Sequence, residues 1–204
     1  MKILISAGPT REYIDPVRFI SNPSTGKMGY LIAEECLKKG HSVVIVSGPT
    51  HLKPPGKARL LRVETAEEMR KEILKRFPKA DALIMTAAVS DWRPAKKHRG
   101  KLKRKKAWEL KLVPNPDILK EAVRIKRKNQ TVVGFALETS DILKNAGEKL
   151  KEKKLDLIVA DTPDFLKGKD SKVVFILKDG RVEKFSRLDK RQTAVKTVKL
   201  LEEL

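Results

Sequence analysis

The residues best suited to chemistry lie in a short glycine-containing segment, residues 21–29, with the sequence Ser-Asn-Pro-Ser-Thr-Gly-Lys-Met-Gly. The segment follows an apolar stretch and precedes apolar residues at helical spacing over residues 30–39. Glycines let the backbone approach an anion closely, and the first N–H groups of a helix, at its positive dipole end, attract one. The segment therefore predicts a phosphate-binding turn at the start of a helix, although a closely packed turn would have the same composition.

The position of this turn argues against a dinucleotide ligand. The glycines of dinucleotide-binding proteins follow the first strand directly, whereas seventeen residues separate Gly8 from Gly26 here. The second predicted strand ends in Ser47-Gly48-Pro49, without the acidic residue that binds a ribose. A reductase that uses NADP is therefore disfavoured.

Further polar residues follow predicted strands farther along the chain. Asp91 comes after a run of small residues, and it could face a divalent cation on a polyphosphate or could be an ordinary turn aspartate. Phe135 and Glu138 end a later strand, where the aromatic ring could contact a base or could belong to the core. Asp161 ends the next strand. Because doubly wound sheets bind ligands at the carboxyl ends of their strands, we expect these positions at one edge of the sheet.

Three other features could bind phosphate. Residues 96–106 are strongly basic and form either a solvated loop or a mobile flap that closes over phosphates, and their position after Asp91 favours the flap. Lys149 and Lys153 stand four residues apart on one face of a predicted helix, where they could grip phosphates or remain solvated. Asn115 and Pro116 predict another helix start, with Asn115 as its cap.

Together these features supply an anion site, an acid able to hold a metal, and flexible lysines. The sequence suggests no serine–histidine or cysteine–histidine nucleophile pair. This combination suits nucleotidyl transfer to a substrate oxygen, a reaction that needs charge stabilisation more than a protein nucleophile.

Strands and helices alternate along most of the chain, which predicts an α/β, Rossmann-like, doubly wound and mostly parallel sheet with helices on both faces. The turn Lys178-Asp179-Gly180 indicates an antiparallel hairpin near the carboxyl end. Residues 95–113 form an inserted basic flap, in which residues 108–112 alternate as a strand does. The predicted strands span residues 2–8, 41–48, 59–63, 80–86, 131–136, 155–160, 172–177 and 181–186, and the predicted helices span residues 30–39, 66–77, 116–128, 142–154 and 190–204.

The composition excludes several classes of protein. The 204 residues carry 46 Lys and Arg against 26 Asp and Glu, which gives a net charge of +20. Aromatic residues make up only 5% and the basic residues are spread over most predicted helices, so nucleic acid is not an expected partner and the charge is interpreted as solvated surface that steers anions. Cys36 is the single cysteine, expected in the core, and three scattered histidines make no metal site. No apolar run approaches the roughly 20 residues of a membrane span, and we expect a cytoplasmic chain without membrane contact.

The chain resembles the phosphopantothenoylcysteine synthetases, the phosphopantothenate-cysteine ligases of coenzyme A biosynthesis. The resemblance covers nearly the whole chain and implies a single ligase domain over residues 1–204. It rests on motifs that occur in one order: SAGPTRE at 6–12, DPVR at 15–18, ISNPSTGKMG at 20–29, AAVSDW at 87–92, KLKR at 101–104, NPDI at 115–118 and GFALE at 134–138.

The resemblance implies a reaction in two steps. The carboxylate of 4'-phosphopantothenate attacks the α-phosphorus of CTP, which gives an acyl cytidylate and pyrophosphate, and the amine of cysteine then attacks the acyl carbon and releases CMP. By matching position, Lys101 would neutralise charge on the α-phosphate, Asn22 would hold and polarise the acyl intermediate, and Asp91 would serve the triphosphate together with Mg²⁺ or Mn²⁺. The residues implied to bind CTP are Ser24, Gly26, Met85, Thr86, Ala87, Asp91, Lys101, Pro116, Asp117, Ile118, Leu119, Phe135, Lys149 and Lys153.

The resemblance also implies a homodimer, with the segment around Leu110 near the contact, and a fusion or association with a flavin-dependent decarboxylase. Two positions depart from the family pattern: Arg104 stands where a second lysine is usual, and Leu137 stands where a smaller residue is usual. Two alternatives remain open. One is the same ligation driven by ATP, and the other is a nucleotide- or nucleic-acid-binding module without catalysis.

Overall fold

A computed structural model describes residues 1–104, 107–163 and 170–204. In chain order its elements are β1 Lys2–Ala7, β2 Arg11–Tyr13, β3 Phe19–Ser21, α1 Lys27–Lys38, β4 Ser42–Ser47, β5 Arg59–Arg62, α2 Ala66–Arg76, β6 Ala82–Met85, β7 Trp92–Pro94, β8 Leu112–Pro114, α3 Ile118–Arg124, β9 Thr131–Leu137, α4 Ile142–Glu152, β10 Leu157–Asp161, β11 Ser171–Leu177, β12 Val182–Leu188 and α5 Lys190–Glu202.

The central element is an eight-stranded sheet in the order β12-β11-β10-β9-β6-β1-β4-β5. Neighbouring strands from β10 to β5 pair in parallel, and the β11–β12 hairpin adds two antiparallel strands to the edge of β10. The predicted α/β fold with a mostly parallel sheet and a C-terminal antiparallel hairpin is therefore confirmed. The chain runs from β1 outward through β4 and β5 and then returns to β6 on the other side of β1, so the topological switch point lies between β1 and β6.

Each face of the sheet is covered by helices with an apolar stripe. On one face, Ile32 and Cys36 of α1 and Val198 of α5 are buried against β1 and β4. On the other face, α2, α3 and α4 pack their apolar residues over the sheet, with Met69 and Ile73 of α2 fully buried. The continuous apolar character of the inner strands reflects this double cover. Burial raises the pKa of the Cys36 thiol to about 12, which keeps it protonated and agrees with its expected place in the core.

Local signals set most of the helix ends. Gly40 follows α1 with a φ of 79°, and the amide of His41 donates to the carbonyl of Cys36 across that turn. At α2, the Thr65 hydroxyl accepts from the Glu68 amide at 3.2 Å while the Glu68 carboxylate accepts from the Thr65 amide, and the two bonds form a capping box.

Two predicted elements were wrong in their position. The helix predicted from Pro116 to Lys128 begins at Ile118, because Asp117 and not Asn115 is the cap: its carboxylate accepts from the Lys120 amide at 3.0 Å. That helix ends at Arg124, and the following residues turn toward the sheet. The strand predicted over residues 108–112 is instead β8, Leu112–Pro114, because β7 is its partner and pairs only with those three residues.

Two short antiparallel ribbons, β2–β3 and β7–β8, were not predicted. Both lie outside the main sheet. Their strands are only three residues long, so they are too short to show an alternating pattern. They become visible only when their partner strands are known.

The buried acid Asp156 makes hydrogen bonds that hold the segment between α3 and β9 against the sheet. Asp156 is 2% exposed and accepts from the Val132 amide at 2.7 Å, from Lys178 at 2.7 Å and from Lys126. Burial works against ionisation, but these donors hold the pKa of Asp156 below its usual value. Within the described residues no helix is both long and apolar enough to cross a membrane.

Candidate functional site

A cleft of about 590 Å³ opens at the carboxyl ends of the parallel strands, across the switch point between β1 and β6. Its walls come from the segment before α1, the exits of β6, β9 and β10, the start of α3 and one face of α4. This is the place where open α/β sheets bind their ligands. Gly8 directly follows β1 at this edge, and its backbone lies 3.2 Å from the position that a Cβ on Gly26 would take.

The start of α1 forms one wall and matches the predicted anion-binding turn. Gly26 precedes the helix with a φ of 78°, a conformation that L side chains rarely adopt. No described side chain caps α1 and its first turn carries no acid, whereas α2 and α5 both begin with capping boxes. The Lys27 amide donates to the Thr25 hydroxyl at 3.4 Å. The cap residue Gly26 has no side chain to accept from the next amides, so those amides can meet a ligand, and the helix dipole favours an anion there.

The exit of β6 forms the floor. Ser6 is fully buried, and its hydroxyl accepts from the amides of Thr86 and Ala87, both at 3.1 Å. The Thr86 hydroxyl in turn donates to the Ser6 carbonyl at 2.6 Å. A polar residue inside the apolar β1 thus turns the backbone of residues 85–87 toward the cleft.

Asn115 organises the turn that carries Asp91. Its side-chain amide donates to the Ser90 carbonyl at 2.8 Å, its backbone amide donates to the Asp91 carbonyl at 2.8 Å, and its side-chain oxygen accepts from Arg93 at 3.0 Å. These bonds explain why Asn115 is not a helix cap. They leave Asp91 exposed on the lining of the cleft.

Two lysines of α4 reach the far wall, and each has an acidic partner. Lys153 contacts Asp117 at 2.9 Å, and Lys149 contacts the largely buried Glu138 at 2.7 Å. Burial opposes ionisation of Asp117, but the amide of Lys120 and the ammonium of Lys153 hold the pKa of its carboxyl below the usual value. The acids therefore fix both ammonium groups beside the cleft.

Asp161 and Lys190 add a further pair of opposite charges to the lining. Burial raises the pKa of Asp161 to about 7, and the nearby Lys190 only partly offsets this effect. Burial also lowers the pKa of Lys190, with Asp161 acting in the opposite direction and Lys27 adding to the decrease. The sequence places Asp161 at a strand end, but nothing in it indicates that the first residue of α5 lies opposite.

Nearly all of the predicted site residues lie on one continuous surface. Asn22 lines the cleft, and its side-chain amide donates to the Val89 carbonyl at 3.2 Å. Lys101 is described and exposed, but it does not line the cleft. The other predicted residues that line it are Ser24, Gly26, Met85, Thr86, Ala87, Asp91, Pro116, Asp117, Ile118, Leu119, Phe135, Lys149 and Lys153. The lining residues that were not predicted as ligands include Lys27, Asn115, Asp161 and Lys190.

The described residues contain no group of three or more His, Cys, Asp or Glu side chains that could hold a metal by themselves. Mg²⁺ needs no such group when a polyphosphate is bound, because it is commonly held by one or two carboxylates together with phosphate oxygens and waters. The exposed carboxylate of Asp91 on the lining fits that mode of binding.

Comparison with known proteins identifies clear relatives. The sequence model of the DNA/pantothenate metabolism flavoprotein C-terminal domain matches residues 1–204. The chain is 41% identical over 203 residues to the coenzyme A biosynthesis bifunctional protein CoaBC of Borreliella burgdorferi, an alignment that covers 98% of this chain and 52% of that protein. It is 47% identical over 161 residues to CoaBC of Bacillus subtilis, covering 78% of this chain and 39% of that protein. The chain thus spans about half or less of the length of these curated relatives.

Solved structures agree with the sequence comparison. The crystal structure of the C-terminal domain of a CoaBC protein superposes with a TM-score of 0.87 at 40% identity, covering 99% of this chain and 94% of that one. The DNA/pantothenate metabolism flavoprotein from Streptococcus pneumoniae superposes with a TM-score of 0.88 at 23% identity, covering 100% of this chain and 99% of that one, which supports the fold alone.

Proposed function

The chain belongs to the family of DNA/pantothenate metabolism flavoprotein C-terminal domains, and on that premise we propose that it is a phosphopantothenate-cysteine ligase that uses CTP. The observation that carries the proposal is the grouping of residues from seven separate parts of the chain around one cleft. Two further observations support it: the relatives are named for coenzyme A biosynthesis, and the described cleft combines an uncapped helix start with lysines.

In the proposed first step, the carboxylate of 4'-phosphopantothenate forms a bond to the α-phosphorus of CTP, and the bond from that phosphorus to the β-phosphate oxygen breaks. Pyrophosphate leaves with the electron pair. The amides at the start of α1 and the ammonium groups of Lys149 and Lys153 would stabilise the triphosphate. Lys101, which lies outside the lining in this structure, would have to approach from the flap.

In the proposed second step, the cysteine amine forms the amide bond, loses a proton, and CMP leaves as an anion. The Asn22 amide would donate to the acyl oxygen as negative charge develops there, which stabilises the transition state more than the ground state. Because Asn22 already donates to Val89 at 3.2 Å, its side chain is oriented before a substrate binds.

Mg²⁺ or Mn²⁺, when bound with CTP, would neutralise phosphate charge and orient the triphosphate. Asp91 would hold the ion from the protein side. The Asn115 bonds that fix the turn at Ser90 and Asp91 would position this carboxylate.

We also propose that two chains associate. Trp92, Trp108 and Leu112 are 52%, 47% and 39% exposed, which is unusual for large apolar side chains that lie in or beside one short ribbon. Trp108 and Leu112 flank Leu110 in the sequence, and the family resemblance implies a subunit contact near Leu110. Light scattering at two protein concentrations would give the dimer mass, and a monomer at both would reject this proposal. We further propose that the chain is fused to or associates with a decarboxylase, and that it is located in the cytoplasm.

A turnover assay tests the ligase proposal. The protein is incubated with phosphopantothenate, cysteine and Mg²⁺, with CTP and ATP in parallel reactions, and CMP or AMP and pyrophosphate are measured. We expect CMP formation that depends on both acid and amine substrates. A preference for ATP would show that ATP and not CTP is the nucleotide substrate. If neither CMP nor AMP formed, the ligase proposal would be rejected.

Two variants separate the steps. Asn22→Ala should still release pyrophosphate but form little ligated product, whereas Lys101→Ala should release pyrophosphate much more slowly, at a rate that single-turnover measurement can still follow. If both variants lost both steps equally, the assigned roles would be wrong. If the unmodified protein gave no turnover but bound DNA or RNA with a steep dependence on salt, the binding-module alternative would be supported.

A further inference from the structure

The loop between β2 and β3 contains a buried acid that the proposed function does not use. Asp15 is fully buried. One of its oxygens accepts from the amides of Val17 and Arg18, both at 2.8 Å, and the other accepts from the Arg18 guanidinium, with Nε at 3.0 Å. Hydrogen bonds from Arg18, together with the backbone amides and against the effect of burial, hold the pKa of Asp15 well below its usual value. It is therefore a charged acceptor at any pH near neutrality.

The same two side chains hold the backbone of the basic flap. The Asp15 carboxylate accepts from the Leu102 amide at 3.1 Å, and the Arg18 guanidinium donates to the Leu102 carbonyl at 2.9 Å. Both backbone groups of one residue are thus paired, much as a neighbouring strand would pair them. A second attachment lies four residues earlier, where the His98 amide donates to the Ile14 carbonyl at 2.8 Å.

This contact joins the two segments that carry the residues assigned to catalysis. Leu102 directly follows Lys101, and β3 runs from the loop straight into Asn22. We propose that Asp15 is a positioning residue: with Arg18 it clasps Leu102 and thereby holds the Lys101 flap at a fixed place relative to the Asn22 segment. The proposal rests on the ligase function for its catalytic consequence, whereas the clasp itself does not.

The physical reason for such a clasp is the cost of ordering a highly charged loop. Residues 96–104 include many like charges that repel one another, so the loop gains little from packing and would otherwise sample many positions. Two charge-assisted hydrogen bonds to the backbone of one residue limit this freedom without covering the lysine side chain. A positioned Lys101 then has less conformational entropy to lose when it meets a phosphate.

Hydrogen exchange at the Leu102 amide tests the clasp directly, in the full chain and without substrates. Asp15→Asn keeps one oxygen for the Val17 and Arg18 amides but replaces the oxygen that faces Leu102 by a donor. We expect exchange at Leu102 to become at least about tenfold faster, as expected for the loss of a hydrogen bond to a charged group. The matched control is Asp179→Asn: Asp179 accepts from the amide and Nε of Arg181 in the same local arrangement, at 2.9 and 2.8 Å, but lies in the β11–β12 turn. It should leave Leu102 unchanged.

Arg18→Lys provides a second variant should Asp15→Asn fail to fold. It keeps a positive charge beside Asp15 but removes the fork that bridges to the Leu102 carbonyl, so flap exchange should again rise. Unchanged exchange at Leu102 in each folded variant would overturn the clasp.

A double-mutant cycle tests whether the clasp acts through Lys101. In a single-turnover assay of pyrophosphate release, Asp15→Asn should lower the rate about tenfold in the unmodified protein, in proportion to the lost hydrogen bond, and should lower it no further in the Lys101→Ala background. An equal loss in both backgrounds would overturn the coupling to Lys101. A protein that released no pyrophosphate at all would contradict the ligase proposal, and the exchange experiment would still decide the clasp.

Discussion

Gly29 allows α1 to pack closely against the floor of the cleft, and its replacement gives a prediction with a magnitude. A Cβ at this position would lie 2.6 Å from the Thr86 hydroxyl, 2.7 Å from the Ala7 Cβ and 3.1 Å from the Ser6 carbonyl oxygen. Because ordinary contacts between heavy atoms are about 3.5–4.0 Å, the helix would have to move back by about 1 Å. Two of the three atoms belong to β1, which lies within the sheet and cannot easily yield.

Overpacking of this kind typically costs about 1–3 kcal/mol. The approaches of 2.6 and 2.7 Å place Gly29→Ala toward the upper end of that range. Alanine regains about 1 kcal/mol in helix propensity, so we expect the variant to lower the free energy of unfolding by about 1–2 kcal/mol. Gly147 is the matched control, since it lies on α4 and a Cβ there would meet nothing within 4 Å. Gly147→Ala should raise the free energy of unfolding by roughly 0.5–1 kcal/mol.

Urea unfolding of both variants measures these changes, with the slope of the transition as a check that the unfolded state is unaltered. Gly29→Ala should also weaken CTP binding, because the start of α1 would retreat from the cleft, while Gly147→Ala should not. Equal stability of Gly29→Ala and the unmodified protein would refute the argument from close packing. The argument would also be refuted if both variants changed the free energy of unfolding in the same direction.

Three further predictions concern charged groups. Lys149→Met should weaken CTP binding about tenfold, because it removes one charge-assisted contact. Lys151→Met, on the same helix but away from the cleft, should leave CTP binding unchanged. Equal effects of the two variants on the affinity measured by calorimetry would contradict a role for Lys149. Burial raises the pKa of Asp161 to about 7, so its neutral form stabilises the fold at low pH and that stabilisation is lost as pH rises through about 7. Asp161→Asn should therefore be more stable than the unmodified protein at pH 8 but not at pH 4. In urea unfolding, a difference in the free energy of unfolding that stayed the same at both pH values would contradict this. The pKa of Asp156 is lowered in the folded protein, so its contribution to stability is present above the pKa of the unfolded chain, near 3.9, and is lost as pH falls through the pKa of the folded protein. Asp156→Asn should lower the free energy of unfolding by about 2 kcal/mol at pH 7 and by much less in acid. Urea unfolding at several pH values measures this trend, and a loss that did not change with pH would contradict it.

Local sequence was sufficient for most of the secondary structure. The apolar runs and the Asp-Gly turn predicted the order of the main strands and helices along the chain, because each of these signals depends on neighbouring residues only. The alternation over residues 108–112 failed for the same reason: it suggests a strand but does not identify the partner. β7 pairs with Leu112–Pro114, which overlap the predicted stretch only at Leu112. Asn115 also has the composition of a cap, yet its bonds go to Ser90 and Asp91, far away in sequence.

The family motifs contain most of the residues that line the cleft, and the sequence alone predicted an anion-binding turn at the start of α1. Only the tertiary structure decided which charges meet. Strand order places Asp161 beside Lys190 at the cleft, and the β2–β3 loop brings Asp15 to Leu102 across a separation of 87 residues. Sequence periodicity reports whether a side chain is buried or exposed, but the partner of a buried charge depends on how distant segments fold together.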